Sequence, residues 1–388
     1  MTVRIGIDGR VLTDRYHGIG RVTHELILAM SATPGVELVV FTGEAGEGGG
    51  AGGKPACRRF DLDLLAMLPG VEVVPVPLRA VDVRQLWRWR PLLRGAMVDV
   101  MVFPYHLGAA PLLGCPAVAL VHDCILETDP RFAPSPQVGL AYRMMTSLVA
   151  RTATIATVSQ ASAREVERFY GRRVHPGHVI GNGVDQGLRD DPGAARRLER
   201  EFGLEPGYVL HVGAQRPHKN AAILVEAIAR VPDARLVLVG SADERFADEV
   251  APAIDRYGVA GRVTRLPFVP EELLGTLYAR ARLLAYPSLV EGFGLPVLEA
   301  MVARTPVIAS DVPVLREVGG AAALYVAPRR AEAWAAAITR LLADDDLRDG
   351  LVAAGAAHAS HFTWDAAAAR LVSACHSLTG AYLADAAR

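Results

Sequence analysis

Residues 285–310 read AYPSLVEGFGLPVLEAMVARTPVIAS, and the stretch decides the fold. It runs strand, loop, helix, strand. The apolar run 282–286 has strand character and stops at Pro287. The loop 288–295 carries Glu291, Gly292, Phe293, Gly294 and Leu295. Pro296 suits a helix start, where its missing N–H and fixed φ cost nothing. Val297, Leu298, Ala300 and Met301 recur at helical spacing, and residues 305–309 read as a second buried strand. A strand–helix–strand unit of this kind belongs in a parallel sheet covered by helices.

The chemistry lies where the loop meets the helix. A helix N-terminus offers unpaired N–H groups and partial positive charge, which favours phosphate or sugar oxygens. Gly292 and Gly294 let backbone approach a ligand closely. Glu291 and Glu299 stand eight positions apart, and ionised carboxylates there suit the hydroxyls of a sugar or ribose. The plainer alternative is one Glu favouring the helix dipole and one solvated.

EGFGLPVLEAM followed by TPVIAS resembles the Glu-x7-Glu signature of retaining glycosyltransferases of family 4. The resemblance implies the GT-B fold, two Rossmann-like doubly wound parallel-sheet domains facing across a cleft. It implies a metal-independent hexosyltransferase that moves a sugar from a nucleotide-diphosphate sugar to a hydroxyl of a glycan, lipid-linked or small-molecule acceptor. No cofactor, metal or nucleic-acid partner is expected.

Composition agrees with such a protein. A chain of 388 residues is long enough for two or three domains, and 51% hydrophobic residues supply their cores. A net charge of −1 gives no bulk attraction to nucleic acid. No apolar run reaches the roughly 18 residues of a membrane span. The N-terminus MTVRIGIDGR reads as a strand rather than a signal peptide. Cys57, Cys115, Cys124 and Cys375 form no C-x-x-C pair, which fits a reduced, cytoplasmic protein without a zinc site. The inner face of the membrane is the alternative location.

Read in order, the chain opens with a strand, then Tyr16-His17-Gly18-Ile19-Gly20 and a helix, a phosphate-loop layout. A dinucleotide-binding reading competes with it, Glu44 imitating the ribose-binding acid, but Thr23 replaces the third glycine of that fingerprint. In family 4 the loop closes over the donor's phosphates, and Gly18 and Gly20 match it. Residues 43–55, GEAGEGGGAGGKP, read as a low-complexity surface loop. LWRWRPLLRG (86–95) reads as a helix packing Trp87 and Trp89 on its own domain with solvated arginines, Pro91 breaking its pattern. A peripheral membrane contact is the alternative.

His122-Asp123 follows the buried strand 117–121, where α/β proteins place ligands. The resemblance puts His122 near the donor sugar and acceptor, with His106 lining the acceptor side. Residues 153–159 read as a strand, with Ser159 capping the next helix. VIGNGVD (179–185) resembles the family's last N-domain strand. Domains are therefore expected at 1–185, completed by a C-terminal helix 365–388, and at 207–364, with 186–206, polar and carrying one charged helix, as linker.

In the second half, VGAQRPHKN (212–220) follows a strand and precedes a helix. Arg216 and Lys219 at a helix N-terminus are electrostatically unfavourable without an anion, so a diphosphate is the implied partner. The resemblance assigns them that role, gives the base to Phe268 and Val269, and gives Glu299 the ribose. His122, Arg216, Lys219 and Glu291 are the expected catalytic set. Asp344-Asp345-Asp346 reads as helix capping rather than a metal motif. The forms RPHKN and GIGR are similar to mannosyl- and rhamnosyl-type transferases, which favours a GDP-mannose-like donor. An NAD-dependent Rossmann enzyme and a non-catalytic nucleotide- or sugar-binding protein of the same fold are the rivals.

Overall fold

The structure is a computed structural model describing residues 2–13, 17–43, 60 and 62–386. Tyr16, Glu44, Cys57 and the low-complexity stretch after Gly43 lie outside the described residues. The chain divides into two compact units.

The first unit comprises Met1–Cys124, Gln137–Gly183 and Trp364–Arg388. Its strands are β1 (Val3–Asp8), β2 (Val36–Gly43), β3 (Val71–Val76), β4 (Val100–Phe103), β5 (Ala117–Val121) and β6 (Thr154–Thr157). The second comprises Ile125–Pro136 and Val184–Thr363. It holds β7 (Val209–Val212), β8 (Leu236–Val239), β9 (Val263–Leu266), β10 (Leu283–Tyr286), β11 (Val307–Ser310) and β12 (Ala323–Val326). The sheet orders are β3-β2-β1-β4-β5-β6 and β12-β11-β10-β7-β8-β9, parallel throughout. Uninterrupted apolar runs such as VMVF, AVALV, LVLV and LLAY are buried along their length, as strands covered on both faces require. The expected doubly wound α/β architecture is present in each unit.

Each sheet reverses its strand order once, between β1 and β4 and between β10 and β7. Loops leaving the carboxyl ends of such a pair diverge to opposite faces and leave a crevice. In the first unit that point holds a buried ion pair. Arg10 Nε and Nη2 each donate to Asp8 at 2.7 Å, and both side chains are buried. The guanidinium also donates to the carbonyls of Arg79 and Gly108 and lies 4.7 Å over the Trp89 ring. Gln85 Nε2 donates to the Leu107 carbonyl and Trp89 Nε1 to that of Gly108. The pair thus fixes the loop that follows β4.

Three local expectations are corrected. Gly18 and Gly20 are not in a loop but in the first turn of the helix His17–Ser31. Gly20 is required there because a Cβ would come within 2.9 Å of the Val11 carbonyl. Residues 179–185 form no strand, only a single bridge from Val179 to Thr157. The Ile180 carbonyl is taken by Arg370 of the C-terminal helix Trp364–Ala386, so no ladder continues. The one charged helix read in the polar stretch 186–206 is present as Pro192–Phe202, capped by Asp191 and ended by Gly203 at φ 64°, and it buries Ala194, Ala195 and Leu198 within the second unit. Finally, Pro91 is accommodated inside the helix Gln85–Gly95, on its exposed side. Only Trp89 of its two tryptophans is buried.

Asp8→Ala leaves Arg10 a buried, unpaired cation and should destabilise the first unit by about 3–5 kcal/mol. Asp8→Leu combined with Arg10→Met should lose far less. The midpoint of the first unit's thermal transition reads both.

Candidate functional site

The second unit's crevice is built from the loops after β7 and β10. β7 ends at Val212, and residues 213–219 bring Lys219 back over the strand ends. Asn220, at φ 55°, turns the chain, and its Nδ2 donates to the carbonyls of Pro287 and Pro328. β10 ends at Tyr286, and the following loop brings in Glu291. The two loops meet in an ion pair. Lys219 Nζ lies 2.6 Å from Glu291 Oε1, with side chains 15% and 8% exposed. Tyr286 completes the cluster: its hydroxyl is 3.0 Å from Lys219 Nζ and donates to Glu291 Oε1 at 2.9 Å.

Burial opposes both charges, and each charge outweighs that penalty for the other. Burial works against ionising Glu291, yet Lys219 holds its carboxyl below the usual range. Burial also works against protonated Lys219, yet Glu291 and Tyr286 raise it above an ordinary ammonium. The pair is therefore ionised at neutral pH. An ammonium has three donors, and two are directed at Glu291 and Tyr286.

Around this cluster the structure gathers other expected residues. Gly294, at φ 104°, caps the helix Leu295–Val302, and Pro296 sits in its first turn. A Cβ on Gly294 would press on Leu315, so backbone conformation and space both select glycine. Gly292 lies in the same loop, and Phe293 is buried and packs edge-on against Phe362. Glu299 is buried in the helix and accepts from the Tyr278 hydroxyl at 2.6 Å. Arg216 is half exposed and donates to Asp243 at 2.9 Å. Arg245 also holds Asp243, first among the causes that keep its carboxyl well below the usual range. Phe268 is exposed after β9 and Val269 beside it is buried.

Sequence reasoning quoted Tyr286, His218 and Asn220 without giving them roles, and it missed His211, Asp243 and Tyr278. A tyrosine as the last residue of a buried strand was the available signal for Tyr286. His211, on β7, stacks on Tyr286 and donates from Nδ1 to the Ala285 carbonyl at 3.1 Å. His218 is buried edge-on to Phe132, and its Nδ1 has no hydrogen-bond partner among the described residues. Phe132 comes from residues 125–136, a segment sequence reasoning left in the first half.

In the first unit, His122 follows β5 and donates from Nε2 to the Pro104 carbonyl at 2.7 Å, leaving Nδ1 as the acceptor. His106 is buried, 2.9 Å from the Thr146 hydroxyl and edge-on to Tyr142. Gly18 is exposed in its helix. Asp344 caps the helix Asp345–Ala359 by accepting from the Leu347 N–H, as the run of aspartates suggested.

Burial pushes five histidines down, among them His106 and His218 to about 3 and His211 to about 4. Their folded values lie below the unfolded 6.5, so the unfolded chain binds more protons at acid pH. Stability should be full above about pH 6.5 and fall below it, by on the order of 1.4 kcal/mol per pH unit for each histidine. Melting curves across pH measure this, and His211→Gln should flatten the acid slope.

Comparison with known proteins follows the same outline. Residues 196–358 match the model of the Glycosyl transferases group 1, and residues 16–187 that of Glycosyltransferase Family 4. O-antigen chain mannosyltransferase B of Escherichia coli is 33% identical over 258 residues, 64% of this chain and 67% of that protein. D-inositol 3-phosphate glycosyltransferase of Segniliparus rotundus is 34% identical over 234 residues, 57% of this chain and 51% of that protein. The chain thus spans between half and two thirds of the length of these relatives. Sucrose-phosphate synthase from Thermosynechococcus elongatus has the same fold, with TM-score 0.74 at 21% identity over 98% of this chain and 100% of that one. Anabaena HepE, solved with UDP and glucose, gives 0.70 at 22% identity over 97% and 100%. With both halves matched to glycosyltransferase models and two switch-point sheets of the expected kind, the chain belongs to the group 1, family 4 glycosyltransferases of the GT-B fold.

Proposed function

We propose that the protein is a retaining hexosyltransferase that takes a sugar from a nucleoside-diphosphate sugar and delivers it to a hydroxyl. The observation that carries this reading is the buried Lys219–Glu291–Tyr286 cluster at the β7/β10 switch point, in the loop that leads into the N-terminus of the helix Leu295–Val302. Charge of both signs is kept there at the cost of desolvation, and a sugar diphosphate needs both.

In this reading the diphosphate lies over the N-terminus of Leu295–Val302. Lys219 gives it the donor not directed at Glu291 or Tyr286, and Arg216 exchanges Asp243 for phosphate oxygens. These groups stabilise the charge that grows on the leaving diphosphate, each donor contributing roughly 3 kcal/mol. Glu291 holds sugar hydroxyls through lone pairs left by its two partners, and Glu299 the ribose. His218 Nδ1 offers a further acceptor. Phe268 and Val269 flank the base. In the first unit, His122 Nδ1 accepts from a hydroxyl at the reacting end, His106 shapes the acceptor side, and the helix start at Gly18 and Gly20 approaches the donor's phosphates.

The C1–oxygen bond to the diphosphate breaks while the acceptor oxygen bonds C1 on the same face. The acceptor's proton passes to the departing phosphate oxygen. Two O-antigen chain mannosyltransferases among the relatives favour a GDP-mannose-like donor, while the UDP bound in HepE keeps a uridine donor open. The acceptor is a glycan, lipid-linked or small-molecule hydroxyl.

Melting the protein with GDP, UDP, dTDP, ADP and NAD should show stabilisation by one nucleoside diphosphate, about 2.7 kcal/mol at a hundredfold excess over its Kd. Stabilisation by NAD alone would overturn the transferase reading. Arg216→Ala should leave the melting temperature unchanged, since its side chain is half exposed. It should lower transfer by roughly a hundredfold or more. The anomeric configuration of the product, read by NMR, tests retention.

A further inference from the structure

The exposed apolar side chains of this protein are not evenly spread. Of the thirteen large hydrophobics exposed among the described residues, twelve belong to the first unit and only Phe268 to the second. Half of those twelve, Val81, Val83, Leu86, Trp87, Met97 and Leu112, stand on and beside the helix Gln85–Gly95.

That helix has two faces. Gln85, Trp89 and Leu93, four positions apart, are buried. Trp87, Pro91 and Arg94, spaced i, i+4 and i+7, form the opposite stripe, flanked by Arg90 and Arg88. Trp87 is 57% exposed although its neighbour two residues on is sealed in the core. The Arg90 side chain runs past the turn after Leu112, where a Cβ on Gly114 would meet its Nε at 3.6 Å. This brings the Leu112 turn beside the helix.

Two backbone details sharpen the pattern. Met97 and Leu112 have φ of 51° and 59°, a conformation that turns usually give to glycine or asparagine. Here they expose 73% and 85% of a Met and a Leu. Neither solubility nor backbone ease selects such residues.

Charge identifies what would cover the patch. Between residues 79 and 98 there are five arginines against Asp82 alone. Asp82 is paired with Arg84. Arg88, Arg90 and Arg94 are exposed and make no ion pair with a carboxylate among the described residues. Exposed Trp, Leu and Met ringed by arginines match the headgroup zone of an anionic bilayer, where guanidiniums meet lipid phosphates and the indole sits at the interface. We propose that the helix Gln85–Gly95, with the Leu112 turn and Met97, docks the first unit on an anionic phospholipid surface. The proposal stands whichever donor nucleotide the second unit takes.

The purified full chain, mixed with phosphatidylcholine vesicles with and without phosphatidylglycerol, tests it by co-sedimentation and tryptophan fluorescence. Binding should require phosphatidylglycerol, weaken with salt, and blue-shift the emission through Trp87, since Trp89 and Trp334 are already buried and the half-buried Trp364 starts the C-terminal helix, outside the patch. Arg88→Glu with Arg94→Glu should weaken binding on the order of a hundredfold. Trp87→Ser should abolish the spectral shift. Failure of the full chain to bind phosphatidylglycerol vesicles at low salt would overturn the proposal, as would variants that bind unchanged. A dimer that Trp87→Ser converts to a monomer in sedimentation equilibrium would overturn it in favour of a second copy as occupant. Far-UV circular dichroism and a melting temperature matching the wild type certify the fold of both variants, and absence of a nucleotide-induced melting shift in the wild type would count against the transferase reading alone.

Discussion

Lys219 and Glu291 are charged groups held almost out of water, and the second unit's functional end is arranged around making that tolerable. Each would cost several kcal/mol to bury alone. Contact at 2.6 Å and the shared Tyr286 hydroxyl offset the cost. Two apolar side chains of similar size would pack there with less penalty, so stability does not explain the pair. What the pair does is tie the loop after β7 to the loop after β10, the two strands between which the sheet order reverses. Asn220 reinforces the tie by bridging the Pro287 and Pro328 carbonyls, and His211 backs the Tyr286 ring.

The first unit solves a similar problem with different residues. Asp8 and Arg10 are buried at its own reversal point, between β1 and β4. The guanidinium directs further donors to the Arg79 and Gly108 carbonyls, Trp89 shares the Gly108 carbonyl, and Gln85 takes that of Leu107. Backbone groups in a loop that turns inward have no ladder to satisfy them, so side chains must. The loop held in this way carries His106 and leads to the Pro104 carbonyl that orients His122. Gln85 and Trp89 sit on the same helix whose outer stripe is Trp87 and the arginines. One short helix thus braces a loop on its inner side and presents an apolar, cationic surface on its outer side.

Much of this was legible in the chain itself. Buried parallel strands announce themselves as apolar runs between turns, because strands covered on both faces have no polar side to alternate with. Helix starts were legible where a side chain or a proline does the work locally: Ser159, Pro296 and Asp344 all stand where their chemistry placed them. Boundaries failed where the deciding atom is distant. Residues 179–185 look like a strand until Arg370 takes the Ile180 carbonyl.

The sequence by itself determined the βα alternation, the two sheets and the residue types that would gather at the strand ends, since period and local capping are properties of neighbouring residues. Only the tertiary structure decided that Lys219 meets Glu291 from 72 positions away, that Arg216 rests on Asp243, and that Trp89 is sealed while Trp87 faces out. Those outcomes depend on sheet order and helix rotation. Both follow from how two apolar layers bury the most surface together, which no local window contains.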